Sequence, residues 1–119
     1  MNKEISIYVH IPFCVSKCAY CDFYSLAKND GVMDEYTSKI VSEIYRWGSV
    51  LGTPPADTLY FGGGTPSLLN HKQIKAIIDA VKDVFSLKSA EITLEANPAE
   101  DLNEYFSLVA EAGVNRVSL

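Results

Sequence analysis

A chain of 119 residues with 48% hydrophobic and 21% charged residues has the composition of one globular domain with one core, which excludes disorder and collagen-like repeats. Its formal net charge is −5, and its ten Lys and Arg are scattered, so no phosphate-backbone surface and no nucleic-acid partner are expected. No apolar stretch approaches the roughly 20 residues of a membrane span, and Ser6, His10 and Pro12 interrupt Met1–Phe13 as a signal peptide, so a cytoplasmic chain with no transmembrane segment is expected.

The first element, Ile5-Ser6-Ile7-Tyr8-Val9, alternates and then turns β-branched and aromatic, which predicts a buried strand with Tyr8 as a core aromatic. Cys14 to Gly31 reads as a loop that holds all three cysteines, Cys14, Cys18 and Cys21. From Met33 the apolar residues Tyr36, Ile40, Val41, Ile44, Trp47 and Leu51 recur at helical spacing, with Trp47 expected in the core. Gly52-Thr53-Pro54-Pro55 ends that helix, and Thr58-Leu59-Tyr60-Phe61 forms a second strand running into Gly62-Gly63-Gly64-Thr65-Pro66.

Asn70 and Gln73 have the spacing of a capping box, and Ile74, Ile77, Ile78, Val81 and Phe85 give the second helix its apolar stripe. Lys72, Lys75, Asp79, Lys82 and Asp83 form its solvated face, and His71 lies in its first turn as an exposed, inert residue. Ala90–Glu95 alternates as a third strand. Asn97-Pro98-Ala99-Glu100 starts a third helix that turns Leu102, Phe106 and Val109 inward and stops at Gly113. Val114–Leu119 opens a fourth strand.

The order β-α-β-α-β-α-β implies parallel strands with right-handed crossovers, and in such α/β folds sites form at the C-terminal ends of the strands. The cysteine segment, the Gly-rich segment and Glu95 therefore fall on one rim. Three cysteines within eight residues do not suit a disulfide framework and point to a reducing compartment and a metal-type site. C-x3-C-x2-C can place three thiolates on three irons of a [4Fe–4S] cube and leave the fourth iron open. A zinc site with His10 as fourth ligand is the alternative, although its spacing is not that of common zinc modules.

The run Gly62–Pro66 is neither a P-loop nor a dinucleotide fingerprint; it suits close backbone approach to a ligand or simply a tight strand-to-helix turn. Glu95 is either a solvated strand end or the acceptor for an ammonium or hydroxyl of a ligand. Tyr20, between two cysteines, is not readily explained by packing.

The cysteine motif with an aromatic before its third Cys, following a first strand, resembles the signature of radical S-adenosylmethionine (SAM) proteins. His10-Ile11-Pro12-Phe13-Cys14, Gly62-Gly63-Gly64-Thr65-Pro66, Glu95-Ala96-Asn97-Pro98 and Asn115-Arg116-Val117-Ser118 narrow it to the oxygen-independent coproporphyrinogen III oxidase family and its HemW-type heme chaperone relatives. The resemblance implies the N-terminal part of a partial, TIM-like (β/α) barrel. Cys14, Cys18 and Cys21 would hold the cluster, and its open iron would chelate SAM. Tyr8 and Tyr20 would lie beside the cofactor, Gly63, Gly64 and Thr65 would cradle its methionine end, and Glu95 would contact it. Reductive cleavage of the sulfonium would give a 5′-deoxyadenosyl radical. Heme or a porphyrinogen, and an electron donor such as a flavodoxin or ferredoxin, would be the partners.

The oxidases carry a further Cys two residues after the third cluster ligand, where this chain has Phe23, and an extension ahead of the motif that this chain lacks. Both favour the chaperone branch. Residues 1–119 are then expected to be one radical SAM core domain truncated within the fourth strand. Its barrel interior of Val, Ile, Leu and Tyr would lie open as an apolar surface, making the chain by itself poorly soluble or oligomeric and without turnover.

Overall fold

Four runs of alternating side chains pair in the order in which the chain makes them. The computed structural model describes residues 4–12, 30–87, 90–96 and 103–119. In it β1 (Ile5–Ile11), β2 (Ala56–Gly63), β3 (Glu91–Glu95) and β4 (Arg116–Ser118) form a parallel sheet of order β1-β2-β3-β4. Helices α1 (Asp30–Leu51), α2 (His71–Val84) and α3 (Asn103–Ala112) alternate with the strands, and a 3-10 turn (Pro66–Leu68) precedes α2. This is the expected α/β order.

The strand residues Val9, Ile11, Leu59, Phe61, Ile92 and Leu94 point to one face and are buried against the helices. From α2 the stripe Ile74, Ile77, Ile78 and Val81 meets them, and α2 lies between α1 and α3. Burying a residue such as Ile77 contributes about 2 kcal/mol before entropy is counted, which is why the apolar periodicity dictates the layer. The capping box forms as expected: Asn70 Oδ1 accepts from the Gln73 N–H at 2.8 Å, and Gln73 Oε1 accepts from the Asn70 N–H at 2.9 Å. Gln73 Nε2 also donates to Asp34 Oδ1 at 2.7 Å, clipping α2 to α1. The face bearing Lys72, Lys75, Asp79, Lys82 and Asp83 is exposed.

Several expectations need correction. β1 is an edge strand rather than a buried one, and Tyr8 is 57% exposed, because alternation puts Ser6, Tyr8 and His10 on the face the helices do not cover. Trp47 is 51% exposed. The helical stripe is wider than the surface available to it, so Ile44 is buried while Trp47 and Leu51 line a groove beside β1. The uncovered sheet face carries no Val, Ile or Leu interior: Thr58, Tyr60, Thr93, Glu95, Arg116 and Ser118 share the strand positions of Tyr8 and His10. The helix layer takes the aliphatic half of each strand and leaves the polar half opposite.

Boundaries also shift. α1 begins at Asp30, and β2 runs through Gly62 and Gly63, which pair with His10 and Ile11. β4 is only three residues long because Val114 N–H closes on Val109 O at the end of α3. Asn115 then lends its side chain to the ladder, Oδ1 accepting from Ile92 N–H at 2.8 Å and Nδ2 donating to Ala90 O at 2.9 Å. In α3 Val109 is buried and Phe106 only half-buried; Tyr105 takes the inner position and donates to Leu69 O at 2.7 Å. The expected helix start at Asn97–Glu100, and Leu102, lie outside the described residues. Among the described residues no helix is long and apolar enough to cross a membrane.

Candidate functional site

Parallel pairing brings the ends of β1, β2, β3 and β4 to one rim. Gly62 stands beside His10, Gly63 beside Ile11, and Glu95 beside Ser118. A cleft of about 350 Å3 opens there, lined by Gly64, Thr65, Pro66, Glu95, Ala96 and Ser118, with Leu119 at its edge. Its volume lies within the range of small-molecule sites, about 300–1,000 Å3. A larger groove of about 490 Å3 runs between β1 and α1 past Ile7, Ile40, Ile44 and Trp47, but its wall is mainly aliphatic and aromatic. The polar groups converge on the smaller cleft.

Glu95 is not a solvated strand end. Its Oε2 accepts from the Tyr60 hydroxyl at 2.7 Å, and its Oε1 accepts from the Gly63 N–H at 3.1 Å. The Tyr60 phenol is raised above its ordinary pKa, first by its hydrogen bond to Glu95 and then by desolvation, while hydrogen bonding with Ser118 acts the other way. Tyr60 stacks on Tyr8 with ring centres 5.9 Å apart and planes 15° apart. The Tyr8 hydroxyl lies 3.3 Å from His10 Nδ1, and Tyr36 donates its hydroxyl to the His10 carbonyl.

The Gly-rich segment combines both readings of it. Gly63 has φ +115°, and a Cβ there would lie 2.7 Å from Ile11 O and 2.8 Å from the His10 ring, so β1 itself requires this glycine. The Gly63 N–H is donated to Glu95, the Gly64 N–H goes to Ile11 O at 2.8 Å, and Pro66 has none. With these amides committed, the glycines themselves offer no N–H to an anion. The cleft presents the Glu95 carboxylate, an acceptor, beside the hydroxyls of Thr65 and Ser118, which can accept or donate. An ionised carboxylate accepts only, with about four lone-pair sites, of which two are taken here. Glu95 therefore suits a hydrogen-bond donor, an ammonium or hydroxyl group.

Of the residues singled out from sequence, Tyr8, Gly63, Gly64, Thr65 and Glu95 stand at or beside this rim. Cys14, Cys18, Cys21 and Tyr20 lie outside the described residues. Among the described residues no group of three His, Cys, Asp or Glu side chains is gathered as a metal site. Sequence reasoning missed Tyr60 and gave Ser118 no role. Strict two-residue alternation was the available signal for Tyr60, since it lies two positions before Gly62 and out of phase with the buried Leu59 and Phe61.

Comparison with known proteins bears on this rim. The family profile of the radical SAM superfamily matches residues 8–119. The heme chaperone HemW of Mycobacterium tuberculosis (strain H37Rv) is 40% identical over 122 residues, covering 99% of this chain and 31% of that protein. HemW of Escherichia coli (strain K12) is 38% identical over 117 residues, covering 97% of this chain and 31% of its own length. Among solved structures, the radical SAM enzyme coproporphyrinogen III oxidase (HemN) of Escherichia coli matches with a TM-score of 0.80 and 29% identity, over 98% of this chain and 27% of that one. The chain thus spans about a third of the length of the curated relatives it matches. With a profile match along almost its whole length and a sheet that superposes on a radical SAM enzyme, the chain belongs to the radical SAM superfamily.

Proposed function

We propose that this chain holds a [4Fe–4S] cluster through Cys14, Cys18 and Cys21, binds SAM in the cleft at the strand ends, and serves a HemW-like heme chaperone. The observation that carries the SAM reading is Glu95, held by two donors and facing a cleft that also presents the Thr65 and Ser118 hydroxyls. SAM offers such a site an ammonium and two ribose hydroxyls, so the residues fit the molecule. On the family resemblance Gly63, Gly64 and Thr65 would hold its methionine end, and Tyr8 and Tyr20 would be the aromatic residues that accompany it. When bound, the cluster supplies one electron and SAM the cleavable carbon–sulfur bond. The chain's own residues bind and orient: Glu95 and the Thr65 hydroxyl accept from the ligand, and Pro66 and Leu119 close the cleft with apolar surface.

The partner on this reading is heme, with a flavodoxin or ferredoxin as electron donor, in the cytoplasm where thiols stay reduced. HemW relatives at 32–40% identity support the chaperone branch, as does Phe23 in place of a further cysteine. The likeness to HemN favours a second reading, oxidative decarboxylation of coproporphyrinogen III.

Anaerobic reconstitution tests the cluster. About four irons should bind per chain, and alanine at Cys14, Cys18 or Cys21 should abolish the brown chromophore. Stoichiometric tetrahedral zinc without iron uptake would refute the assignment. For the branch, the full-length protein should bind heme and leave coproporphyrinogen unchanged when given SAM and reductant. Conversion to protoporphyrinogen would establish the oxidase instead.

A further inference from the structure

We propose that Tyr60 is a positioning residue for ligand recognition: its hydroxyl fixes the Glu95 carboxylate so that the remaining lone pairs accept a hydrogen bond from a donor group of the ligand. The inference rests on the reading of Glu95 as a SAM-binding carboxylate and adds to it the residue that makes the carboxylate competent. A glutamate side chain has three rotatable bonds, and an unrestrained carboxylate at a strand end samples many orientations. Here both oxygens are held from the neighbouring strand, Oε2 by Tyr60 and Oε1 by the Gly63 amide. With the Gly63 bond alone, the carboxylate still turns about that contact; the second donor defines its plane.

Tyr60 is itself held. Its ring stacks on Tyr8, and Gly62, which follows it on the same face, leaves the ring its space. A Cβ at Gly62 would lie 2.8 Å from Tyr60 Cε1 and 2.8 Å from the Tyr8 hydroxyl. The ring rests against Tyr8 in the space that Gly62 leaves, and from there its hydroxyl reaches Glu95 across the β2–β3 pair. A group locked by packing that orients an acceptor before the ligand arrives reduces the ordering cost of binding. The ligand donor is the ammonium of the methionine end or a hydroxyl of the ribose, two sources of the same chemistry.

Tyr60→Phe removes the hydroxyl and keeps the stack. Titration calorimetry of SAM into the cluster-loaded protein should show about tenfold weaker binding for this variant. In a Glu95→Gln background the same change should add less than about a twofold loss, since the two groups act as a unit. The Tyr60→Phe loss should also vanish with one of two analogues, SAM lacking the α-amino group or SAM lacking both ribose hydroxyls, and the analogue identifies the donor. Without any ligand, the Gly63 amide resonance should shift in Tyr60→Phe as the carboxylate loses its orientation. Additive losses in the double variant, a loss that persists with both analogues, or an unmoved Gly63 resonance would overturn the positioning role while leaving the cleft reading standing. Full affinity in Glu95→Gln would overturn the cleft reading, and the positioning role with it.

Discussion

Replacing Gly63 by alanine puts the rim's construction to a quantitative test, with Gly52 as its control. Both glycines have positive φ, +115° and +77°, but their surroundings differ. A Cβ at Gly52 would meet nothing within 4 Å, so Gly52→Ala costs only backbone strain, about 1 kcal/mol for a left-handed L-residue. At Gly63 the backbone lies farther from the left-handed region, and the strain is about 1–3 kcal/mol. The new Cβ would also lie 2.7 Å from Ile11 O, a backbone atom anchored by the Gly64 N–H and by the β1–β2 ladder. Relieving that overlap costs about 1–3 kcal/mol more, as in an overpacked core. The His10 ring, 2.8 Å from the same point, can swing away toward solvent and adds little. The sum is about 2–6 kcal/mol, which for a chain of this size lowers the melting temperature by about 8–24 °C, against about 4 °C for Gly52→Ala. Thermal melts followed by circular dichroism, with urea midpoints at unchanged m-value, measure both. Equal losses at the two positions would show that contact with β1 contributes nothing, and that Gly63 is required for its dihedral angle alone.

Asn115→Ala removes two side-chain bonds that complete the β3–β4 ladder and should cost about 1–2 kcal/mol in urea denaturation; a loss below about 0.3 kcal/mol would mean that water replaces both partners. Tyr105 is a partly buried phenol whose pKa is raised by desolvation, so its folded-state pKa exceeds the unfolded value near 10. Its contribution to stability is fully present below about pH 10 and is lost as pH rises above that. Alkaline unfolding followed by far-UV circular dichroism should therefore begin above about pH 10 and move to higher pH in Tyr105→Phe, and an onset that does not move would place the alkaline sensitivity elsewhere. Asn70→Ala opens the capping box and should destabilise by about 1 kcal/mol, measurable as a lower melting midpoint.

The sequence alone determined the layer order, the start of α2 and which strand ends share a rim. Those features are local: Asn70 and Gln73 are three residues apart, the α2 stripe repeats within one helix, and a strand followed by a helix in parallel order fixes which strand ends share an edge. Glu95 was legible as a candidate for the same reason, but its state was not. Its two partners lie 32 and 35 residues away in the chain, and only the pairing of β2 with β3 brings them to it. Tyr8 and Trp47 show the reverse limit. Both are large aromatics on apolar patterns, and hydrophobicity marked them as core, yet burial is decided by how much partner surface the neighbouring elements offer. β1 has a covered face and an open one, and Tyr8 is on the open one. Periodicity records which residues share a face, whereas register and packing decide what that face meets. This is why the glycines at the end of β2 could be read as a turn or as a ligand site from sequence, and why the tertiary structure shows one of them accommodating β1 and donating its amide to the carboxylate of β3.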